Sequence, residues 1–353
     1  MKLAHADFGR VAVVMGGTSR ERQVSLWSGA AVLEALQNVG IDAIGFDGIP
    51  ALLAAVQAQQ VDRVFIILHG PGGEDGTLQG ALEAMQVPYT GSGVLASALG
   101  MDKIRSKQIW QQLGLSTAEF CIVNASDTAA SLAQNFGLPM VIKPSQEGST
   151  FGITLARTFE QLEIGLKTAR DIDGEILAER LIEGDEYTIA ILDSFDSSGA
   201  QALPVIHIVP KQTFYDFDAK YISDATEYRI PSGLSPEAES AMQTLALRAF
   251  NALGARGWAR IDVMTDSRTG NQYLLEANTA PGMTSHSLVP KAAQSVGISF
   301  PELCRRILVS SLAPACAAAQ TGQDQSGKTL SALNSPALNF PALNSSGAPC
   351  DQN

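Results

Sequence analysis

The sequence has few cysteines and no long apolar run. Its 353 residues include only four cysteines, which are widely spaced: Cys121, Cys304, Cys316 and Cys350. This spacing fits neither a disulfide framework nor a CxxC metal site, and it is typical of proteins from a reducing cytoplasm. No apolar stretch approaches the roughly 20 residues that span a bilayer, and the N-terminus has no signal-peptide pattern. We therefore expect a cytoplasmic protein that does not enter a membrane.

Basic residues are also scarce. Lys and Arg total 24 against 36 Asp and Glu, which gives a formal net charge of -12. Bulk charge of this sign disfavours a polyanionic partner, so we expect no nucleic acid to bind, and a phosphate-bearing ligand needs local basic residues. Hydrophobic residues make up 45% of the chain, which excludes wholesale disorder. At about 100–200 residues per domain, the length predicts two or three domains.

The first hundred residues alternate between strand and helix patterns. Short apolar runs at Arg10–Met15 and Val64–Leu68 predict buried parallel strands, and each is followed by a glycine-rich loop. Apolar residues at helical spacing predict helices over Ser25–Gln37 and Leu78–Met85. This order predicts a doubly wound α/β domain, in which ligands bind at the carboxyl ends of the strands.

The pattern changes near residue 101. Helices are predicted over Lys103–Gln112 and Ser235–Leu253, and the predicted strands are Met140–Lys143, Glu175–Arg180, Tyr187–Leu192, Arg260–Met264 and Tyr273–Ala277. Residues 207–235 have little periodicity and predict a long functional loop. From about residue 313, Ala-Leu-Asn recurs and charges nearly vanish, which predicts a low-complexity disordered tail. Residues 322–329 match GxxxxGK[ST], but no strand or helix pattern flanks them, and we interpret the match as chance.

The strongest local signal is a pair of strands near the C-terminus. Arg260 and Asp262 stand two residues apart, as do Glu276 and Asn278, so each pair shares one strand face. If the strands are neighbours, one face presents a guanidinium, two carboxylates and an amide oxygen. Such oxygen donors suit a divalent cation like Mg²⁺, and Arg260 is suited to neutralise developing negative charge. The alternative is a solvated strand face with ordinary ion pairs.

Two further segments carry polar groups at strand ends. Lys143 precedes a small Ser- and Thr-rich loop that ends at Gly152; such a loop suits nucleotide phosphates, but a plain turn is as good an interpretation. Glu21 follows the first glycine loop and either holds a substrate ammonium or caps the next helix. His69 follows a buried strand and either orients a substrate or is structural. Lys103 and Lys220 are candidates for phosphate contacts, although isolated lysines usually lie at the surface.

Together these segments form a specific ordered set. The chain closely resembles the D-alanine–D-alanine ligase family of the ATP-grasp superfamily from about residue 10 to 310. The motifs that carry the resemblance lie at residues 16–25, 68–80, 89–93, 101–103, 214–221, 257–264 and 274–287. Departures from the family pattern at Gln146, Thr150-Phe151 and Ala280 touch neither the metal nor the acyl-transfer groups, and leave ATP affinity and loop dynamics open.

The resemblance implies an α/β, ATP-grasp fold of three α/β domains, with ATP between two antiparallel sheets. Residues 1–101 would form the N-terminal doubly wound (pre-ATP-grasp) domain, which carries the first D-alanine side and a homodimer interface. Residues 102–187 would form the central ATP-grasp subdomain. Residues 188–312 would form the C-terminal subdomain with the lid loop and the magnesium site, followed by the tail at 313–353.

The resemblance also implies roles for individual residues. Those expected to bind ATP are Lys103, Lys143, Glu179, Arg180, Leu181, Ile182, Glu186 and Lys220, with Arg180, Leu181 and Ile182 beside the adenine. Those expected to hold two Mg²⁺ (or Mn²⁺) are Asp262, Glu276 and Asn278. The first D-alanine would contact Glu21, His69 and Ser149, and the second would contact Ser287 and Leu288. Arg260 and the Gly282 amide would form the oxyanion hole, while Lys220 and Tyr221 would lie on the lid at about 207–226.

The implied activity is ATP-dependent ligation of two D-alanines through a D-alanyl phosphate, for peptidoglycan synthesis. In this family a tyrosine at position 221 accompanies dipeptide ligases, and its hydroxyl would link to Glu21 and Ser149. Three alternatives stay open at this point. The chain could join D-alanine to D-lactate or D-serine, it could be another ATP-grasp carboxylate–amine ligase, or it could bind ATP without catalysis.

Overall fold

The N-terminal part of the chain folds around a three-stranded parallel sheet. The computed structural model describes residues 8–148, 151–172, 174–193, 199–210 and 226–312. The strands run in the order β2-β1-β3. The strands of this part are β1 (Val11–Met15), β2 (Ala43–Asp47) and β3 (Arg63–Ile66). Its helices are α1 (Arg22–Asn38), α2 (Gly48–Gln57), α3 (Thr77–Ala84) and α4 (Val94–Met101). The predicted α/β alternation is confirmed.

Burial on both faces explains why β1 is the central strand. Val11 and Val13 pack into one hydrophobic cluster, and Ala12 and Val14 pack into another on the opposite face. All four are fully buried, as expected for a parallel strand covered on both sides. The carboxyl ends of β1 and β3 lead into the loops that carry Glu21 and His69, at the same edge of the sheet.

The second sheet is antiparallel and has the order β4-β7-β5-β6. Its strands are β4 (Phe120–Val123), β5 (Met140–Pro144), β6 (Thr154–Ala156) and β7 (Ile176–Arg180). The helices of this part are α5 (Lys103–Gln112), α6 (Ala129–Asn135) and α7 (Phe159–Arg170). Side chains fix where these helices begin: Asp102 accepts the Arg105 N–H, and capping boxes open α6 and α7 at Thr128 and Thr158.

The third sheet is antiparallel and has the order β11-β10-β8-β12-β13, with β9 paired to β8. Its strands are β8 (Gly184–Asp193), β9 (Ala200–Ala202), β10 (Ile206–Val209), β11 (Glu227–Arg229), β12 (Trp258–Asp266) and β13 (Gln272–Asn278). The helices that follow or cover it are α8 (Pro236–Ala252), α9 (Leu288–Ser295) and α10 (Phe300–Val309). The helix α8 packs on β12 and β13 through residues such as Phe250 and Met242.

The prediction of a loop over residues 207–235 is wrong at two short strands, while residues 230–235 lie in a loop as predicted. Residues 206–209 form β10 and residues 227–229 form β11, and these two strands pair with each other. The strand β11 has only three residues, and its partner β10 is distant in the sequence. A pattern this short cannot be recognised from the sequence. Residues 211–225, which include the centre of the predicted lid, lie outside the described residues.

Each sheet is built from one continuous stretch of chain, and together they lie in one compact unit. The expected boundary near residue 101 falls at the end of α4, whereas residue 187 lies inside β8. The three-domain division remains a prediction. The tail predicted from residue 313 lies outside the described residues. Among the described helices, none has the length and apolar character needed to cross a membrane.

Candidate active site

The strands β12 and β13 pair with each other. This pairing is the condition under which the polar residues Arg260, Asp262, Glu276 and Asn278 share one face. Arg260 lies opposite Asn278, and Asp262 lies opposite Glu276, in an antiparallel register. The register shifts directly after Asp262. Arg260 donates from Nε and Nη2 to the two oxygens of Asp262, at 2.9 Å and 2.7 Å. Thr188 Oγ1 donates to Asp262 Oδ1 at 2.6 Å. The four polar side chains therefore form one structured face rather than a solvated strand surface.

Lys103 ties this face to the loop that follows β5. Its Nζ lies 3.4 Å from Oε2 of Glu276 and donates to the Glu147 carbonyl oxygen at 2.7 Å. The backbone N–H of Lys103 donates to the Ser145 carbonyl oxygen. Lys103 is 7% exposed, so it is not an ordinary surface lysine. It is the first residue of α5, and its ammonium group lies beside the polar face of β12 and β13.

The predicted metal ligands are chemically suited to a hard divalent cation. Asp262 is buried, and Glu276 stands directly across from it. Within the described stretches, no group of three His, Cys, Asp or Glu side chains has the geometry of a metal site. The predicted set instead combines two carboxylates with the amide oxygen of Asn278, which Mg²⁺ accepts equally well. Arg260 and Lys103 balance the two carboxylates in this arrangement.

A cavity of about 460 Å³ lies beside this face, between residues of the second and third sheets. Six of the predicted residues line it: Lys143, Glu179, Leu181, Ile182, Glu186 and Glu276. Apolar side chains complete its wall, including Val141, Ile153, Leu155, Met264 and Leu275. A cleft that combines apolar walls with several charged side chains suits a flat base joined to a polar, anionic chain.

The side chain of Arg180, which was predicted to bind ATP, points away from this cavity. Side chains alternate along β7, so Glu179 faces the cavity and Arg180 faces away from it. The Arg180 guanidinium donates to the Phe136 carbonyl oxygen at 2.8 Å and lies 4.7 Å from the Phe136 ring centroid. Of the three residues expected beside the adenine, Leu181 and Ile182 line the cavity and Arg180 does not.

Sequence reasoning missed Lys107, which completes a buried charge cluster with Glu179 and Lys143. Lys107 Nζ lies 2.8 Å from Glu179 Oε2, and Lys143 Nζ donates to Glu179 Oε1 at 2.9 Å. Burial raises the pKa of Glu179, but the two ammonium charges outweigh burial and hold that pKa below its ordinary value. A usable signal existed, because Lys107 interrupts the buried helix face formed by Ile104 and Trp110.

Glu21 lies where two loops converge. It is the residue before α1, yet its side chain makes no capping hydrogen bond, which disfavours the interpretation as a helix cap. A Cβ added at Gly70 or at Gly148 would come within 3.0 Å of Oε2 of Glu21, so only glycine fits against the carboxylate without a shift. A second cavity of about 50 Å³ is lined by Glu21, Arg260 and Glu276, among others. Glu276 lines both cavities and joins them.

His69 and Glu74 are buried beside Glu21. His69 Nδ1 lies 2.9 Å from the Ala280 carbonyl oxygen and must donate to it, while Nε2 has no hydrogen-bond partner among the described residues. Burial lowers the pKa of His69, so the imidazole is neutral and Nε2 is an acceptor. Glu74, which the sequence analysis did not single out, accepts the Gly70 N–H at 2.6 Å. Burial and the neighbouring Glu21 raise the pKa of Glu74 to about 8.

The loop between β13 and α9 carries the remaining predicted groups. Gly282 is buried, and a Cβ there would come within 2.9 Å of Ser287 Oγ. Ser287 precedes α9 without capping it, and its Oγ accepts the Thr284 N–H at 2.9 Å. The first N–H groups of α9, starting at Leu288, therefore have no side-chain cap, as in a helix N-terminus that binds an anion. Ser149, Lys220 and Tyr221 lie outside the described residues.

Two antiparallel sheets with a nucleotide-sized cavity between them define this chain as an ATP-grasp ligase. It is similar to a crystal structure of D-alanine–D-alanine ligase from Bacillus anthracis, with a TM-score of 0.75 and 33% identity, over 86% of this chain and 97% of that one. It is also similar to a Bacillus anthracis structure of the enzyme complexed with ATP, with a TM-score of 0.74 and 32% identity, over 87% and 98% of the two chains.

Sequence comparisons give the particular family. A model described as "D-ala D-ala ligase N-terminus" matches residues 50–92, and one described as "D-ala D-ala ligase C-terminus" matches residues 109–309. The D-alanine–D-alanine ligase of Xanthomonas axonopodis pv. citri is 55% identical over 312 residues, 87% of this chain and 96% of the relative. That of Stutzerimonas stutzeri is 49% identical over 306 residues, 87% and 95%. The chain belongs to the D-alanine–D-alanine ligase family.

Proposed function

We propose that this chain joins two D-alanines to D-alanyl-D-alanine, with ATP cleaved to ADP and phosphate, as a cytoplasmic step of peptidoglycan precursor synthesis. One observation carries the proposal. The face formed by Arg260, Asp262, Glu276 and Asn278 stands between a nucleotide-sized cavity and a smaller cavity lined by Glu21. The family and its ATP-complexed member support the same assignment.

ATP would occupy the larger cavity with its base against Leu181 and Ile182 and its ribose near Glu186. Lys143 lines this cavity, and Lys103 lines the smaller cavity beside Glu276, which borders both; the two lysines would hold the phosphates. Lys220 would add a further positive charge from the lid. Because the chain is acidic overall, these local cations supply the attraction for the triphosphate.

Asp262, Glu276 and Asn278 would hold two Mg²⁺ (or Mn²⁺) ions. When bound, such ions neutralise charge on the transferring phosphoryl group and orient it. Both oxygens of Asp262 hold Arg260, so its guanidinium stands beside the proposed metal ligands before substrate binds. Preorganised charge of this kind is the main source of catalysis in phosphoryl transfer.

The first D-alanine would bind in the smaller cavity. Its ammonium would lie between the Glu21 carboxylate and Nε2 of His69, which is an acceptor because Nδ1 donates to Ala280. Its carboxylate would then face Arg260 and the γ-phosphate. Ser149 would help to complete this site, and Tyr221 would link to Glu21 and Ser149 through its hydroxyl and favour the amide product over the ester.

The chemistry then proceeds in two transfers. A carboxylate oxygen of the first D-alanine attacks the γ-phosphorus, ADP leaves, and a D-alanyl phosphate forms. The free amine of the second D-alanine attacks the carbonyl carbon, with its own carboxylate held by Ser287 and Leu288 at the start of α9. Arg260 and the Gly282 N–H stabilise the tetrahedral oxyanion, which collapses and expels phosphate. A lid carrying Lys220 would exclude water, which otherwise hydrolyses the acyl phosphate.

We also propose a homodimer formed through the N-terminal part. Trp27 on α1 is 48% exposed and Ile44 on the edge strand β2 is 53% exposed. Exposed large apolar side chains and a strand edge that is unpaired among the described residues favour a covered surface.

Phosphate release from ATP and Mg²⁺ tests the proposed function. We expect release with D-alanine, little with L-alanine, and a product with the mass of D-alanyl-D-alanine. When D-lactate is added, the dipeptide should remain the main product. ATP cleavage that ignores D-alanine would refute the substrate assignment, and an ester as main product would refute the role given to Tyr221.

A further inference from the structure

Lys107 is a lysine that the fold keeps entirely from water. It is 0% exposed, on the face of α5 that also buries Ile104 and Trp110. Burying an ammonium is costly, and a methionine would fill a similar volume without that cost. Burial itself lowers the pKa of Lys107. Packing alone therefore gives no reason for a lysine here, and its contacts must supply one.

The Lys107 ammonium makes two hydrogen bonds and one ion pair. Nζ donates to Thr117 Oγ1 at 2.6 Å and to the Leu274 carbonyl oxygen at 3.2 Å. Its third neighbour is Glu179 Oε2, at 2.8 Å. The first two contacts anchor the ammonium between α5 and β13, so its position does not depend on Glu179. Lys107 is thus a fixed positive charge against which the Glu179 carboxylate rests.

Glu179 is the link between Lys107 and the nucleotide cavity. Its other oxygen, Oε1, accepts from Lys143 Nζ at 2.9 Å. Glu179 and Lys143 both line the cavity, whereas Lys107 does not. One carboxylate between two ammonium groups leaves a net positive charge. Without Lys107, the negative charge of Glu179 would be balanced by Lys143. Lys143 would then no longer offer a net positive charge to a phosphate.

We propose that Lys107 is a positioning residue for ATP: it holds and neutralises Glu179, so that Lys143 keeps its positive charge for the phosphates. The inference rests on the proposed function only in that the larger cavity takes ATP. Lys107 never touches the nucleotide and acts through Glu179 alone.

The test measures ATP affinity in the full chain by isothermal titration with ATP and Mg²⁺, together with steady-state kinetics. Lys107→Met should raise the Kd and the KM for ATP at least tenfold and leave the KM for D-alanine within twofold. Trp110→Phe is the matched control, because it lies on the same buried helix face and disturbs the packing there, losing part of the indole ring and the Nε1 bond to the Ala249 carbonyl oxygen, 3.2 Å long, without changing any charge. That variant should bind ATP as the wild type does.

A second variant separates charge balance from general damage to the fold. Removing one partner of a buried ion pair is destabilising, and Lys107→Met with Glu179→Gln leaves no unpaired carboxylate. This double variant should bind ATP within threefold of Glu179→Gln alone, whether or not Lys107→Met folds. ATP affinity unchanged by Lys107→Met would overturn the inference, as would a double variant that binds ATP tenfold more weakly than Glu179→Gln.

The titration distinguishes this failure from failure of the proposed function. If the wild type binds ATP but does not ligate D-alanine, the substrate assignment falls and the Lys107 comparison still decides the inference. If the wild type does not bind ATP with Mg²⁺, the nucleotide cavity is misassigned and the inference falls with it.

Discussion

Asp262 lies directly opposite Glu276, on the pair of strands that separates the two cavities. Arg260 binds both oxygens of Asp262, and Lys103 lies 3.4 Å from Glu276. Each acidic side chain thus has its own cation before any ligand arrives. The neighbouring cations offset part of the free-energy cost of burying these carboxylates, and in the proposed function the same groups face the transferring phosphoryl group.

Glu276→Gln should reduce turnover by at least about 100-fold, because even residues that only support metal ligands contribute about 10–100-fold. The amide keeps the shape of the side chain but removes the charge that would attract the second Mg²⁺. Phosphate release at several Mg²⁺ concentrations measures the effect. Glu302→Gln on α10 is the control, since Glu302 pairs only with helix neighbours among the ion pairs that the structure shows. Undiminished turnover in Glu276→Gln would defeat the metal assignment.

Arg260→Lys should lower kcat about 100–1000-fold, the usual loss for one oxyanion donor. A lysine keeps the charge but cannot bind both oxygens of Asp262 and also face the substrate. The KM for ATP should change far less, because Arg260 is not among the residues lining the larger cavity. Arg229→Lys, in an exposed pair with Glu227, should have normal kinetics. A loss confined to the KM for ATP would contradict the role given to Arg260.

Gly148→Ala should raise the KM for D-alanine several-fold and leave the Kd for ATP nearly unchanged. The added methyl group would come within 3.0 Å of Glu21 Oε2, so the carboxylate must shift by a few tenths of an ångström. Gly174→Ala is the control, because a Cβ there meets nothing within 4 Å. Steady-state kinetics with each substrate varied in turn separates the two effects. Equal KM values for D-alanine in both variants would remove Glu21 from the ammonium site.

Glu74→Gln should change how stability depends on pH. Burial and Glu21 raise the pKa of Glu74 from 4.5 to about 8. Between these values the folded state keeps the proton and the unfolded state loses it, so the contribution of Glu74 to stability falls as pH rises. The slope is at most about 1.4 kcal/mol per pH unit.

The glutamine variant keeps an oxygen for the Gly70 N–H and loses this titration. Its stability should therefore increase relative to that of the wild type between pH 5 and pH 8. Urea unfolding of the ligand-free protein at several pH values in that window tests the expectation. Parallel pH profiles for the two proteins would show that Glu74 is ionised in the folded state.

Local patterns predicted most of the elements that carry the site. The helix Lys103–Gln112 has the predicted bounds, and the paired polar residues of β12 and β13 lie on neighbouring strands, as their spacing required; their role as metal ligands stays a prediction. These signals succeed because side-chain period follows directly from backbone geometry. The roles of Ser149, Lys220 and Tyr221 stay predictions, since these residues lie outside the described part of the chain.

What the sequence could not predict depends on distant partners. The position of Lys107 on an apolar helix face signals burial, but its partner Glu179 lies far along the chain and only the fold identifies it. Glu74 looks like a loop acid, and only the fold shows that it is buried next to Glu21. Arg180 contacts Phe136, which is distant in the sequence, and its place beside the adenine stays a prediction. Short strands such as β11 depend on non-local pairing and leave almost no pattern.

The most direct test of the account follows one oxygen atom. D-alanine labelled with ¹⁸O in its carboxylate is incubated with ATP, Mg²⁺ and the protein, and the phosphate and dipeptide are analysed by mass spectrometry. If a D-alanyl phosphate forms and is attacked by the second amine, each phosphate carries one labelled oxygen and each D-alanyl-D-alanine has lost one. Unlabelled phosphate alongside dipeptide would contradict the acyl-phosphate route, and labelled phosphate without dipeptide would contradict the ligation.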